Sequence, residues 1–159
     1  MVIRSVGRQT NEEIMGTFYV GCKVENVVER GKSATLSKIL VDSGSEYTWV
    51  AETILEKLDI AREKKDLVFV MANGQQVTRS VGFAIVRVGG SFTVDEVVFA
   101  EKGDLLLLGA RTLEGLNLRI DPRQKKLVAA GPLPAAGVLT DEGLRSGGGD
   151  VAGRRDGGS

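Results

Sequence analysis

Leu40-Val41-Asp42-Ser43-Gly44-Ser45 sets one carboxylate between an apolar run and a glycine turn. Ile39-Leu40-Val41 reads as a buried strand, and the residues after Asp42 suit a tight loop. A carboxylate at the end of a buried strand is costly to desolvate unless hydrogen bonds hold it. Ser43 brings a hydroxyl and Gly44 an unobstructed backbone N–H. The chemistry open to such a group is acid–base work on water, which needs two carboxyls in two states. One is ionised and activates the water; the other is protonated and polarises the carbonyl under attack. As a tripeptide, Asp-Ser-Gly is equally an ordinary Asx-turn, so its meaning rests on the surrounding elements.

The chain has no histidine, which excludes Ser-His-Asp and Cys-His nucleophiles within it and removes the commonest metal ligand. The C-terminal glycines lack the strand, Lys and Ser/Thr context of a phosphate loop. Carboxylate chemistry is what remains, with no metal or organic cofactor implied.

Two segments share one plan. The run through Val41 leads into the Asp42 turn, then Thr48-Trp49-Val50 and a helix-like stretch, Ala51 to Leu58, with Ile54, Leu55 and Leu58 at helical spacing. Further on, Asp104-Leu105-Leu106-Leu107-Leu108-Gly109-Ala110-Arg111 repeats apolar strand, glycine and helix-like segment, here Thr112 to Leu116. Between them Leu67 to Met71 and Gln76 to Thr78 flank Ala72-Asn73-Gly74-Gln75, and Asn-Gly between strand-like runs is a strong hairpin signal.

In that order, an apolar strand ending Asp-Ser-Gly-Ser, a hairpin and a Leu-Leu-Gly strand before a short helix, the chain resembles the retropepsin-type aspartic proteases. These are the retroviral proteases and their single-domain bacterial and archaeal relatives, and the resemblance runs from about Met15 to Gly131. It implies an all-β, closed barrel-type acid-protease fold with one or two short helices, assembled as a homodimer. Asp42 would be the catalytic carboxylate, and because the chain carries one such motif its mate would be Asp42 of a second subunit across a two-fold axis. Ser43, Gly44 and Ser45 would support the loop: Ser43 interlocking with the partner's loop, Gly44 turning its N–H to the carboxylate, and Ser45 donating to the ionised dyad. Glu46, Tyr47, Trp49, Val70, Met71, Ala72, Asn73 and Gly74 would meet substrate, the last five in a mobile flap from Phe69 to Thr78, with Val50 also in the cleft wall. Leu107, Leu108 and Gly109 would form the core strand opposite the active loop. Ala110 stands where retroviral enzymes usually place arginine, and Arg111 is expected to take over an ion pair with Glu46.

Composition sets the outer bounds. The 159 residues are 42% hydrophobic and 26% charged with formal net charge +0, which suits one globular domain and leaves no electrostatic footprint for nucleic acid. No apolar run approaches the ~20 residues of a membrane span, and the N-terminus lacks the apolar core of a secretory signal, so a cytoplasmic location is expected. The lone Cys22 is expected on a buried strand. The domain is read as 15–134, after a loose segment at 1–14 and before a disordered Gly/Ala/Arg-rich tail at 135–159. Within it, strands are expected at Gly16 to Lys23, Leu36 to Val41, Val81 to Val88 and Phe92 to Phe99, with Val24 to Ser33 as a loop. Leu105 to Leu108 should cross the middle of the core, and Leu118 to Asp121 should pair with Lys126 to Val128 through a Pro122 turn.

The expected function is therefore an aspartic endopeptidase acting on extended, apolar peptide or protein substrates. The alternative is a dimerising, peptide-binding module that keeps the fold without cleaving, and a third reading is a domain cut from a longer precursor.

Overall fold

β-Branched and aromatic residues dominate the apolar runs, and they form strands throughout the computed structural model, which describes residues 18–133 and residue 135. The readings of 1–14 and 136–159 fall outside the described residues. Among the described residues nine strands and two short helices follow in order: β1 (Phe18–Glu25), β2 (Ser33–Val41), β3 (Thr48–Ala51), α1 (Glu52–Lys57), β4 (Lys64–Val70), β5 (Gln76–Val88), β6 (Ser91–Ala100), β7 (Leu107–Leu108), α2 (Ala110–Gly115), β8 (Leu118–Asp121) and β9 (Lys126–Ala129). The architecture is mostly β.

The main sheet runs β1-β2-β7-β3-β6-β5-β4, and β1 also pairs with β5 through Lys23–Arg87, Val24–Val86 and Glu25–Ile85. Six strands thus close into a ring, with β4 attached outside it to β5. Closure removes the exposed edges of β1 and β5 over that stretch. Most neighbours are antiparallel, but β7 lies parallel to β2 and β3 lies parallel to β6. The parallel pairing of β2 with β7 brings the Asp42 turn and the Gly109 segment side by side.

The ring closes over a core of Val24, Ile39, Val41, Val50, Leu55, Val86, Val97, Phe99 and Leu108. A second, smaller cluster joins Trp49, Val81, Val98, Ala100 and Leu107, with Phe69, Met71 and Tyr47 against it. Cys22 is buried on β1, and burial pushes its thiol up to about 11.

Four expectations are corrected. Val24 and Glu25 continue β1 instead of opening a loop, because Val24 is a fully buried core residue. Strand β2 begins at Ser33, three residues before the apolar run that marks it in sequence. The segments at Gln76 and Val81 are one strand, β5, long enough to pair with β4 at one end and with β6 and β1 at the other. Of Leu105 to Leu108, only Leu107 and Leu108 are buried; Leu105 and Leu106 are 42% and 38% exposed. The ladder admits two residues at β7, and the preceding pair stays at the surface.

Charge is stitched around this frame. The Glu25 carboxylate, 6% exposed, accepts from Arg87 and lies near Arg30; the Arg87 hydrogen bond, working against burial, holds it below its ordinary value. Glu96 is held low in the same sense by Lys64, with Arg111 adding to it. A carboxylate depressed in the folded state stabilises above its unfolded pKa and loses that contribution as pH falls through the folded value. Thermal midpoints are therefore expected to be level from neutral pH to about pH 5 and to fall below it. Glu25→Gln should cost about 1–2 kcal/mol at pH 7 and flatten the acid limb. An unchanged acid limb in that variant, followed by circular dichroism, would remove Glu25 from this role.

Candidate active site

At the end of β2 the backbone turns through Asp42-Ser43-Gly44, and three hydrogen bonds fix the turn. The Asp42 N–H donates to the Leu108 carbonyl at 3.0 Å, the Ser45 N–H to the Asp42 carbonyl at 3.2 Å, and the Gly44 N–H to Asp42 Oδ1 at 2.9 Å. The first extends the parallel pairing of β2 with β7 by one residue. The last orients the carboxylate, which is half-buried, while Ser43 and Gly44 are exposed. Ser43 makes no side-chain bond among the described residues.

The Ser45 hydroxyl faces the Tyr47 carbonyl at 3.3 Å, not the Asp42 carboxylate. The expected donation from Ser45 to the charged group is therefore absent from this chain's geometry: the turn carries the side chain inward towards its own loop.

Beneath the turn, the start of α2 holds the loop's carbonyls. The Ala110 N–H donates to Ser45 O at 2.7 Å and the Arg111 N–H to Glu46 O at 3.1 Å. These are the N–H groups that a helix leaves without internal partners. Their reach requires the backbone at Gly109 to press against the loop: a Cβ at Gly109 would overlap the Tyr47 carbonyl and lie 2.7 Å from Glu46 O. A buried polar relay secures the contact from below. The Gly109 N–H donates to Thr48 Oγ1 at 3.0 Å, Thr48 and Thr112 share a hydrogen bond of 2.5 Å, and the Thr112 hydroxyl donates to Asp95 Oδ2 at 3.0 Å. Thr48 and Thr112 are 1% and 0% exposed, so each hydroxyl needs its partner. Sequence reading passed over Thr48, Thr112 and Asp95. The available signal was slight: two threonines flanking apolar segments that have to meet.

Arg111 pairs with Glu96 at 3.1 Å and lies over the Tyr47 ring, 5.0 Å from its centroid. The expected Glu46–Arg111 ion pair is not formed. The helix turns the Arg111 side chain towards β6, where Glu96 waits, and Glu46 is left exposed.

β4 and β5 form the hairpin anticipated as a flap. Its tip closes with Met71 N–H to Gln75 O and Gly74 N–H to Met71 O, both 2.8 Å, and Gly74 takes φ +84°. Ala72, Asn73 and Gly74 are exposed, and Met71 packs against the second cluster. Alternation along β4 sends Phe69 inward, where its ring meets Tyr47 and Trp49 edge-on at centroid distances of 5.3 Å. Val70 points the other way and is 68% exposed. Trp49 and Val50 are both buried; Val50 belongs to the main core and is withdrawn from the cleft wall, because β3 alternates and gives that face to the interior. Leu107, Leu108 and Gly109 lie buried directly against the turn.

Among the described residues no group of three His, Cys, Asp or Glu is placed to hold a metal ion, and no helix is long and apolar enough to cross a membrane.

The Gly109 contact carries a direct test. Gly109→Ala should cost about 1–3 kcal/mol in urea unfolding, since backbone would have to move. Gly90→Ala, with open space around it, should change stability by less than about 0.5 kcal/mol. Equal effects at the two glycines would deny the close approach its importance.

Comparison with curated proteins finds no match. Among solved structures, the solution structure of the simian foamy virus (mac) protease is similar at 19% identity and TM-score 0.41, covering 61% of this chain and 92% of that one. A family described as "gag-polyprotein putative aspartyl protease" matches residues 32–115, a span that holds the Asp42 turn, the hairpin, Gly109 and all of α2. The chain therefore belongs to this retropepsin-like family of aspartyl proteases.

Proposed function

We propose that the protein is an aspartic endopeptidase that works as a homodimer, with Asp42 from each subunit forming the catalytic dyad. The observation that carries this reading is the geometry of the turn. A half-buried carboxylate stands at the end of a core strand, oriented by the Gly44 N–H and pinned to β7 through the Leu108 carbonyl. One chain presents one such group, and water activation for peptide hydrolysis needs two. A two-fold axis through the turn supplies the second from an identical surface. Two carboxylates so close cannot both ionise cheaply, so they share a proton. One subunit's ionised Asp42 takes the proton of the attacking water; the other's protonated Asp42 donates to the substrate carbonyl. The proton then passes to the leaving amine as the tetrahedral intermediate collapses.

Gly44 and Ser43 support this site from the exposed side of the turn, and Ser45 supports it from within its own loop. Substrate lies extended between the turn and the β4–β5 hairpin, adding a strand. Tyr47, Met71, Ala72, Asn73 and Gly74 are the side of the cleft nearest the hairpin, Glu46 lies at its exposed end, and Trp49 and Val70 flank Phe69. Opening of the Gly74 tip admits the peptide and closure excludes water. The preference is for apolar side chains, because Phe69 and Met71 of the hairpin pack with Tyr47 and Trp49 in one apolar cluster.

Pepstatin-sensitive cleavage of an apolar peptide at mildly acidic pH should fall by about 10⁴-fold in Asp42→Asn. Mixing that variant with an equal amount of wild type at constant total concentration should leave about a quarter of the activity if heterodimers are dead. Retention of half would show that each subunit cleaves alone, and cleavage surviving in the pure variant would dismiss Asp42 as the catalyst. A wild-type protein with no activity at any pH would point to the non-cleaving, peptide-binding module.

A further inference from the structure

The backbone ladder between β5 and β6 stops at Val81–Val98. Beyond it, β5 leads towards the hairpin tip, and β6 leads through Ala100 into the loop that precedes β7. Where these segments part, Arg79 on β5 reaches across to Asp104: Nε lies 2.7 Å from Oδ2 and Nη2 lies 2.9 Å from Oδ1. The Glu101 N–H donates to the same Oδ2 at 2.8 Å, and the Asp104 N–H returns to the Glu101 carbonyl at 3.0 Å. The Arg79 and Asp104 side chains are only 13% and 10% exposed. A two-pronged guanidinium–carboxylate pair, mostly withdrawn from water, is stiff and directional in a way that surface pairs are not.

Its two ends lead to the two sides of the cleft. Arg79 pairs in register with Leu67 of β4, at the stem of the hairpin. Asp104 immediately precedes the exposed Leu105 and Leu106, and then Leu107 and Leu108, whose carbonyl holds the Asp42 N–H. Resting on the function proposed above, we infer that the Arg79–Asp104 pair is a latch that fixes the hairpin stem against the Leu105–Leu106 segment and so sets the position of both relative to Asp42. The two residues act by positioning; neither touches the reacting atoms.

Burial pushes the Asp104 carboxyl up, but the hydrogen bonds from Arg79 and the Glu101 N–H, with the Arg79 charge, outweigh it and hold it below the usual carboxylate range. The other charged groups facing the pair, Glu101 and Glu52, act on Arg79 to keep it cationic. The latch thus stays charged at the mild acidity where a shared-proton dyad works.

Breaking a buried pair from one side strands a charge, whereas replacing both partners with apolar residues is often neutral for stability. The informative variant is therefore Arg79→Met with Asp104→Leu, beside the single Asp104→Asn. Native-state hydrogen exchange should speed up by about tenfold or more at residues 71–79 and 101–106 in the double variant, with the core amides of β1, of β6 and of β5 from Val81 to Val88 unchanged. On an apolar peptide, KM should rise about fivefold or more while kcat changes less. Exchange that stays at wild-type rates in both segments, or rises equally throughout the chain, overturns the latch. So does a double variant with wild-type KM. If wild type cleaves nothing, the proposed activity fails, while the exchange measurement still decides whether the pair holds the hairpin to the loop.

Discussion

A backbone-to-backbone contact governs this structure: Gly109, at the entry to α2, presses against the Glu46 and Tyr47 carbonyls. Two helix N–H groups with no partner inside α2 meet the Ser45 and Glu46 carbonyls, which the turn would otherwise leave unbonded. That exchange of partners works only with no side chain between them, which makes Gly109 a steric requirement. With the contact made, β7 is drawn between β2 and β3, and the Leu108 carbonyl comes to the Asp42 N–H. The Asp42 turn is thus held mainly by its neighbours' main chains, with the Asp42 carboxylate adding one bond of its own.

Polar groups inside the barrel serve the same contact. Thr48, Thr112 and Asp95 tie β3, α2 and β6 together beneath Gly109, and Asn26 does comparable work at the opposite end, donating to the Leu58 and Asp59 carbonyls while accepting from the Val28 and Glu29 N–H groups. Each is a side chain whose burial would be costly alone and is affordable as part of a satisfied set. The ion pairs at Glu25, Glu96 and Asp104 hold the periphery, and all three carboxylates are depressed. Structural carboxylates of this kind give up their charge at lower pH than ordinary ones, so the fold keeps its ion pairs further into acid.

Legibility in the sequence followed the range of the interaction. The turn at Asp42, the Asn73-Gly74 tip and the Pro122 hairpin are local, written in residues that bias their own φ and ψ, and they lie where the residue types place them. Leu105 and Leu106 were misread because apolarity reports affinity for a covered surface and says nothing of how many residues a neighbouring ladder admits. Val50 was misread for a related reason: alternation fixes which residues share a face, while the face that looks inward depends on the sheet lying behind. Arg111 took Glu96 in preference to Glu46 because a long cation chooses among acids brought near by folding.

Sequence alone determined the kinds of element, their order, and the tight turn at Asp42, since these rest on short-range sterics and hydrophobic period. Tertiary structure decided the closed ring of strands, the seating of Gly109 on the active loop and the Arg79–Asp104 pair. Those join residues far apart in the chain, and each depends on how many neighbouring strands and helices settle at once.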